Sequence, residues 1–255
     1  MAKINIYKDF LDKKILHIKE LPKLGETPYV LKMNNIISHP ELFDNITLLT
    51  ENIIKTKDIK FNKICASGIE SLPYAINVAT SFEKGVFFIN SKDHDCEDYN
   101  NIKNIKIEGN MEIDDKVLII QTVVDNDFLL GNILKKLRKY GAEIAGIIII
   151  LDMCQGEFIN LVDQNENIHK VLNVFDICNY YETNNLVDAF CTEKIKFYCE
   201  KTTKMNIKKL INDKNEKIIA EEQQKEQMKA LNMALEQSPE TNIDIQPTKE
   251  IFVGQ

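Results

Sequence analysis

The stretch Val117-Leu118-Ile119-Ile120-Gln121-Thr122-Val123-Val124-Asp125-Asn126-Asp127-Phe128 sets four apolar residues before a polar loop, and Leu130, Leu134 and Leu137 follow at helical spacing. A buried strand, a loop and a helix in that order place residues 121–128 at the carboxyl end of a parallel strand, where open α/β sheets bind their ligands. Units of this outline cradle phosphate with backbone N–H groups and the positive end of the helix. This loop lacks the glycines that allow close backbone approach, and it carries the carboxylates Asp125 and Asp127. Asp125-Asn126-Asp127 has two readings, a cation-binding loop or an N-cap for the helix that follows. His94-Asp95-Cys96 is a local trio with metal-ligand chemistry, set against an ordinary exposed loop with no second ligand pair in view. Met153 and Cys154 at another strand end offer redox chemistry or simple packing. Cys65 has no cationic partner nearby in sequence, which favours a small apolar filler over a nucleophile.

The elements that must position these groups alternate along the chain. β-like runs recur at Lys63–Ala66, Val86–Ile89, Val117–Gln121, Ile144–Leu151 and Val171–Phe175, with helical spacing over Leu42–Lys55, Ser71–Phe82, Leu129–Tyr140 and Phe158–Asn165. That alternation predicts an α/β fold, a mainly parallel sheet flanked by helices. Gly141 after Tyr140 reads as a helix C-cap leading back into a strand. Ser91–Gly109 is polar, and its length marks it as a flexible lid. The expected organisation is a domain over 1–204, a charged helical extension over 205–238 with narrow apolar stripes, and a disordered polar tail over 239–255.

At 255 residues and 44% hydrophobic content, the chain is long enough for one full-sized core plus an appendage. A net charge of -7 without a basic stripe argues against nucleic acid and against an anionic membrane surface as partners. No apolar run approaches the roughly 20 residues of a bilayer span. The charged N-terminus is unlike a secretory signal, so the expectation is a cytoplasmic protein whose six cysteines are free thiols.

Several segments, in order and at near-gapless spacing, carry a resemblance. Lys23-Leu24-Gly25-Glu26-Thr27-Pro28-Tyr29, Ile36-Ile37-Ser38-His39-Pro40, Ile64-Cys65-Ala66-Ser67-Gly68-Ile69-Glu70-Ser71-Leu72-Pro73, Asp98-Tyr99 with Ile107-Glu108-Gly109, and Leu151-Asp152-Met153-Cys154-Gln155-Gly156 together resemble the orotate phosphoribosyltransferase domain of animal-type UMP synthase over about residues 6–200. The resemblance implies the type I phosphoribosyltransferase fold, with the C-terminal helical extension appended. The orotidylate decarboxylase domain that follows in UMP synthase is not expected to have a counterpart in this sequence.

Set against the family, the substrate groups are degenerate. Its two adjacent carboxylates, which hold the ribose of phosphoribosyl pyrophosphate, correspond to Gln121 and Thr122, and its phosphate cradle to Asp125, Asn126, Asp127 and Phe128. Each like-charge contact with a phosphate at about 4 Å costs on the order of 4 kcal/mol at a near-surface dielectric. In the lid, Ser91 stands at the Arg position and Glu97 at a Lys position, leaving Lys92 as the remnant catalytic lysine. Met153 replaces the Arg expected to grip the orotate carboxylate. Lys23 and Asp152 persist as remnant substrate positions. The preferred expectation is therefore a catalytically impaired homologue of the pyrimidine biosynthesis family that acts by binding, regulation or dimerisation. Its expected partners are itself or an active relative, with a nucleobase or nucleotide as a candidate ligand. The alternatives are an active orotate phosphoribosyltransferase, with magnesium as its cofactor, and a ligand sensor in the old cleft. No metal site is expected otherwise.

Overall fold

The computed structural model describes residues 2–19, 26–91, 105–124, 127–155 and 167–205, together with 208, 212, 223, 225 and 228. The chain divides into two compact units, Met1–Lys209 and Leu210–Gln255. In the second unit the few described residues are helical.

The first unit opens with helix α1 (Ala2–Asp12), then the antiparallel pair β1 (Leu16–Ile18) and β2 (Tyr29–Leu31), neither of which the apolar pattern announces. A 3-10 turn leads into α2 (Pro40–Thr56), where Pro40 occupies the first helical turn, a position at which its missing N–H costs nothing. Then follow β3 (Lys63–Ala66), α3 (Leu72–Phe82), β4 (Gly85–Ser91), β5 (Ile105–Glu108), β6 (Lys116–Val124), α4 (Asp127–Lys139), β7 (Glu143–Asp152), β8 (Ile168–Asn173) and α5 (Val174–Thr183). A last helix, α6, is described over 189–205. The main sheet has the order β5-β4-β3-β6-β7-β8, all parallel except β5, which runs antiparallel to β4 at the edge.

The central strands are apolar throughout because both faces of the sheet are covered. On one face Val117 and Ile119 of β6 pack with Leu130, Ile133, Leu134 and Leu137 of α4. On the other, Leu118 and Ile120 join the core beneath α1, α2, α3 and α5. The 3.6-residue stripe of α4 thus meets one parity of β6, and α3 meets the other.

Three expectations need correction. β6 continues through Val124, paired with β7 from Leu118↔Gly146 as far as Val124↔Asp152 after a register shift between Val117 and Leu118, so its carboxyl end lies beyond Gln121 and Thr122. Ile105–Glu108, expected within the lid, is a strand. Its Ile-Lys-Ile-Glu alternation is that of an edge with one dry side. Phe175 belongs to a helix: β8 stops at Asn173, whose Oδ1 accepts from the N–H groups of Phe175 (2.7 Å) and Asp176 (3.4 Å) and so caps α5. Helix α6 over 189–205 is not among the helices that the spacing predicts. The helix expected at 158–165 and the trio His94-Asp95-Cys96 lie outside the described residues.

Candidate functional site

The carboxyl ends of β3, β6 and β7 frame the candidate site. β3 ends at Ala66, whose neighbour on β6 is Ile120, and the chain then turns through Ser67 and Gly68 into a 3-10 turn and α3. Beyond that point β6 has lost its partner on this side, and a buried strand amide without an acceptor is costly. Ser71, in the turn that leads into α3, takes the place of the missing strand. Its Oγ accepts the Thr122 N–H at 3.1 Å and lies 3.0 Å from Thr122 Oγ1 and 3.1 Å from Ser67 Oγ. All three residues are buried. The Thr122 hydroxyl is therefore spent inside the protein. Gln121, one residue earlier on the opposite parity, turns its Nε2 back to the carbonyl of Val123 at 2.8 Å, and its Oε1 is buried with no hydrogen-bond partner among the described residues.

At the end of β7 the chain makes a tight turn. Asp152 is 1% exposed, and its Oδ2 lies 2.5 Å from Lys170 Nζ on β8. Its Oδ1 accepts the N–H of Cys154 at 2.8 Å. That bond holds Cys154 in the left-handed region (φ +56°), a conformation costing a side-chain-bearing residue roughly 1–2 kcal/mol. The Cys154 thiol is pushed up to about 12, first by burial and then by the neighbouring Asp152 carboxylate, so it is a poor nucleophile at neutral pH. Met153 points into the main core. Gln155 donates to the Tyr29 hydroxyl (2.6 Å), Tyr29 stacks edge-on against Tyr198 at 6.1 Å, and Thr203 donates to the Cys154 carbonyl (3.1 Å). The β1–β2 pair, the β7 turn and α6 are joined through these contacts.

Of the residues singled out in the sequence, Gln121, Thr122, Asp152 and Met153 are described in full, and the structure places them on adjacent strand ends. Ser91 closes β4 and Asp127 opens α4, each described by its backbone alone. Lys23, Lys92, Glu97, Asp125 and Asn126 lie outside the described residues. The bonding roles of Ser71 and Lys170 are not among those the sequence predicts. For Ser71 a signal existed, since Ser67 and Ser71 are four apart across a strand-to-helix junction; for Lys170 there was none, because its partner lies on a neighbouring strand. Among the described residues no three His, Cys, Asp or Glu side chains gather to hold a metal ion, and no helix is long and apolar enough to cross a membrane. A cleft of about 530 Å³ opens between β5 and the end of α4, lined by Lys106, Glu108, Met111 and Tyr140 among others, and none of the positions above reaches it.

No family model matches the chain. It is 22% identical over 174 residues to uridine 5'-monophosphate synthase of Bos taurus, a match covering 68% of this chain and 35% of that protein. It is 24% identical over 188 residues to the orotate phosphoribosyltransferase of Sulfolobus acidocaldarius, covering 72% of this chain and 90% of that one. Among solved structures, UMP synthase of Leishmania donovani superposes with a TM-score of 0.64 at 16% identity, over 79% of this chain and 43% of that one. The chain thus spans about a third of the bovine protein and under half of the Leishmania chain.

Proposed function

We propose that this chain, whose domain is orotate phosphoribosyltransferase-like and has the type I phosphoribosyltransferase fold, does not carry out efficient phosphoribosyl transfer and works by binding and by association. The observation that carries the reading is Thr122. It stands where the resemblance puts a ribose-binding carboxylate, and it is 2% exposed with its hydroxyl bonded to Ser71. Turning outward to a ribose would break its hydroxyl bond to Ser71, worth about 0.5–1.5 kcal/mol, and would pull a buried side chain out of its packing. Asp152 is likewise committed, to Lys170 and to the Cys154 amide.

Magnesium suits this donor set poorly. The ion takes hard, preferably anionic oxygens, and the two strand-end positions offer a neutral amide and a hydroxyl already in use. In place of transfer, the fold supplies a stable α/β body of the pyrimidine biosynthesis family that pairs with itself or with an active relative. The five described cysteines are free thiols, which suits a reducing cytoplasm.

Incubation of the full chain with orotate, phosphoribosyl pyrophosphate and magnesium tests the proposal. We expect no turnover above background. A turnover of about one per second, within the usual range of enzymes, refutes it and establishes an active orotate phosphoribosyltransferase instead.

A further inference from the structure

Helix α6 has two opposite faces. Thr192, Ile195 and Cys199 are fully buried against the domain, whereas Phe190, Phe197 and Met205 are 62%, 68% and 62% exposed. At about 100° per residue, Phe190, Lys194, Phe197, Lys201 and Met205 fall along one stripe, directly opposite the buried face. Lys194 Nζ sits 4.1 Å from the centre of the Phe190 ring. Glu193 and Glu200, both exposed, line the other edge of the phenylalanines. The stripe therefore has an aromatic centre, a basic edge and an acidic edge. Among the described residues no ion pair engages Glu200 or Lys201.

We propose that this face docks a second copy of the chain, with the two α6 helices side by side and parallel about a two-fold axis running along them. Symmetry selects the arrangement. A two-fold axis along the helices brings the acidic edge of one copy against the basic edge of the other, so that Glu193 and Glu200 face Lys194 and Lys201 while the phenylalanines meet between them. A two-fold axis across the helices would set acid against acid and base against base. Two adjoining glutamates also disfavour an anionic membrane surface, which a uniformly basic aromatic helix would seek. Lys204 interrupts the acidic edge one turn further on, so the pairing is carried by residues 190–201.

This assignment names the surface for the association part of the reading above. It is measured by mass rather than activity, so turnover would refute that reading and leave this one standing. Sedimentation equilibrium of the full chain is expected to show a dimer that Phe197→Glu converts to monomer, with circular dichroism unchanged because the residue is exposed. Glu200→Lys and Lys201→Glu should each raise the dissociation constant by about tenfold, and the double variant E200K/K201E should restore it. A wild-type chain that stays monomeric at about 100 µM overturns the proposal, as does a dimer indifferent to Phe197→Glu or single reversals that the double fails to rescue. Phe197-dependent binding of a monomeric chain to phosphatidylserine vesicles would overturn it too.

Discussion

At the scale of single residues, loss of a function is distinguishable from rearrangement by asking where each replaced side chain sends its polar atoms. Thr122 and Ser71 exchange bonds across 51 positions of sequence, and that commits the Thr122 hydroxyl to the protein interior. Thr122→Asp, which reinstates the family's carboxylate, should then fail to restore transfer and should destabilise the fold by about 3 kcal/mol in urea unfolding, because the charge enters a buried position bonded, among the described residues, to the neutral Ser71. Met153→Arg should behave alike, since its position faces the core. The ion pair of β7 and β8 predicts an asymmetry. Lys170→Met leaves the Asp152 carboxylate buried and partly unmatched, whereas Asp152→Asn leaves a lysine whose side chain is 42% exposed to water. The first should cost about 2 kcal/mol or more and the second less; equal losses would contradict this account of the turn. The identity of each replaced residue was legible in the sequence. What each now bonds was not, because those partners come from other strands and helices.

Elements were legible in proportion to how completely they are buried. β3, β6 and β7 are covered on both faces, so they appear as unbroken apolar runs, and α4 shows its stripe through Leu130, Leu134 and Leu137. β5 is a four-residue edge with alternating charge, hidden inside a polar stretch. Gln121 and Thr122 have the composition of loop residues, yet pairing with β7 carries β6 on to Val124. Gly109 ends β5 at φ +110°, and a Cβ there would lie 2.9 Å from that of Phe87, so Gly109→Ala should lower stability by about 1–3 kcal/mol, readable as a shift of the unfolding midpoint. The cysteines add a pH dependence. Burial pushes the Cys154 and Cys178 thiols up to about 12, well above a thiol's unfolded value, so the folded state holds its protons more tightly. Their contribution is complete below the unfolded value and is lost as pH rises through the folded one. Stability should thus decline from about pH 9 toward pH 12, and Cys154→Ser/Cys178→Ala should flatten that decline in alkaline denaturation curves.

For the whole molecule, the sheet order and the two-sided core are those of a phosphoribosyltransferase, while the strand ends that would serve its donor are tied into the body of the protein. On the function proposed above, fold and chemistry have separated, as they can when a site is grafted on a scaffold whose stability does not need it. α6 presents an aromatic stripe on the side away from its buried face, and the association proposed there requires nothing from the cleft. The account's central claim is that the cleft no longer receives the sugar donor. Isothermal titration of the full chain with phosphoribosyl pyrophosphate in the presence of magnesium tests it most directly: we predict no saturable heat up to about millimolar donor, and a one-to-one isotherm at about micromolar affinity would contradict it.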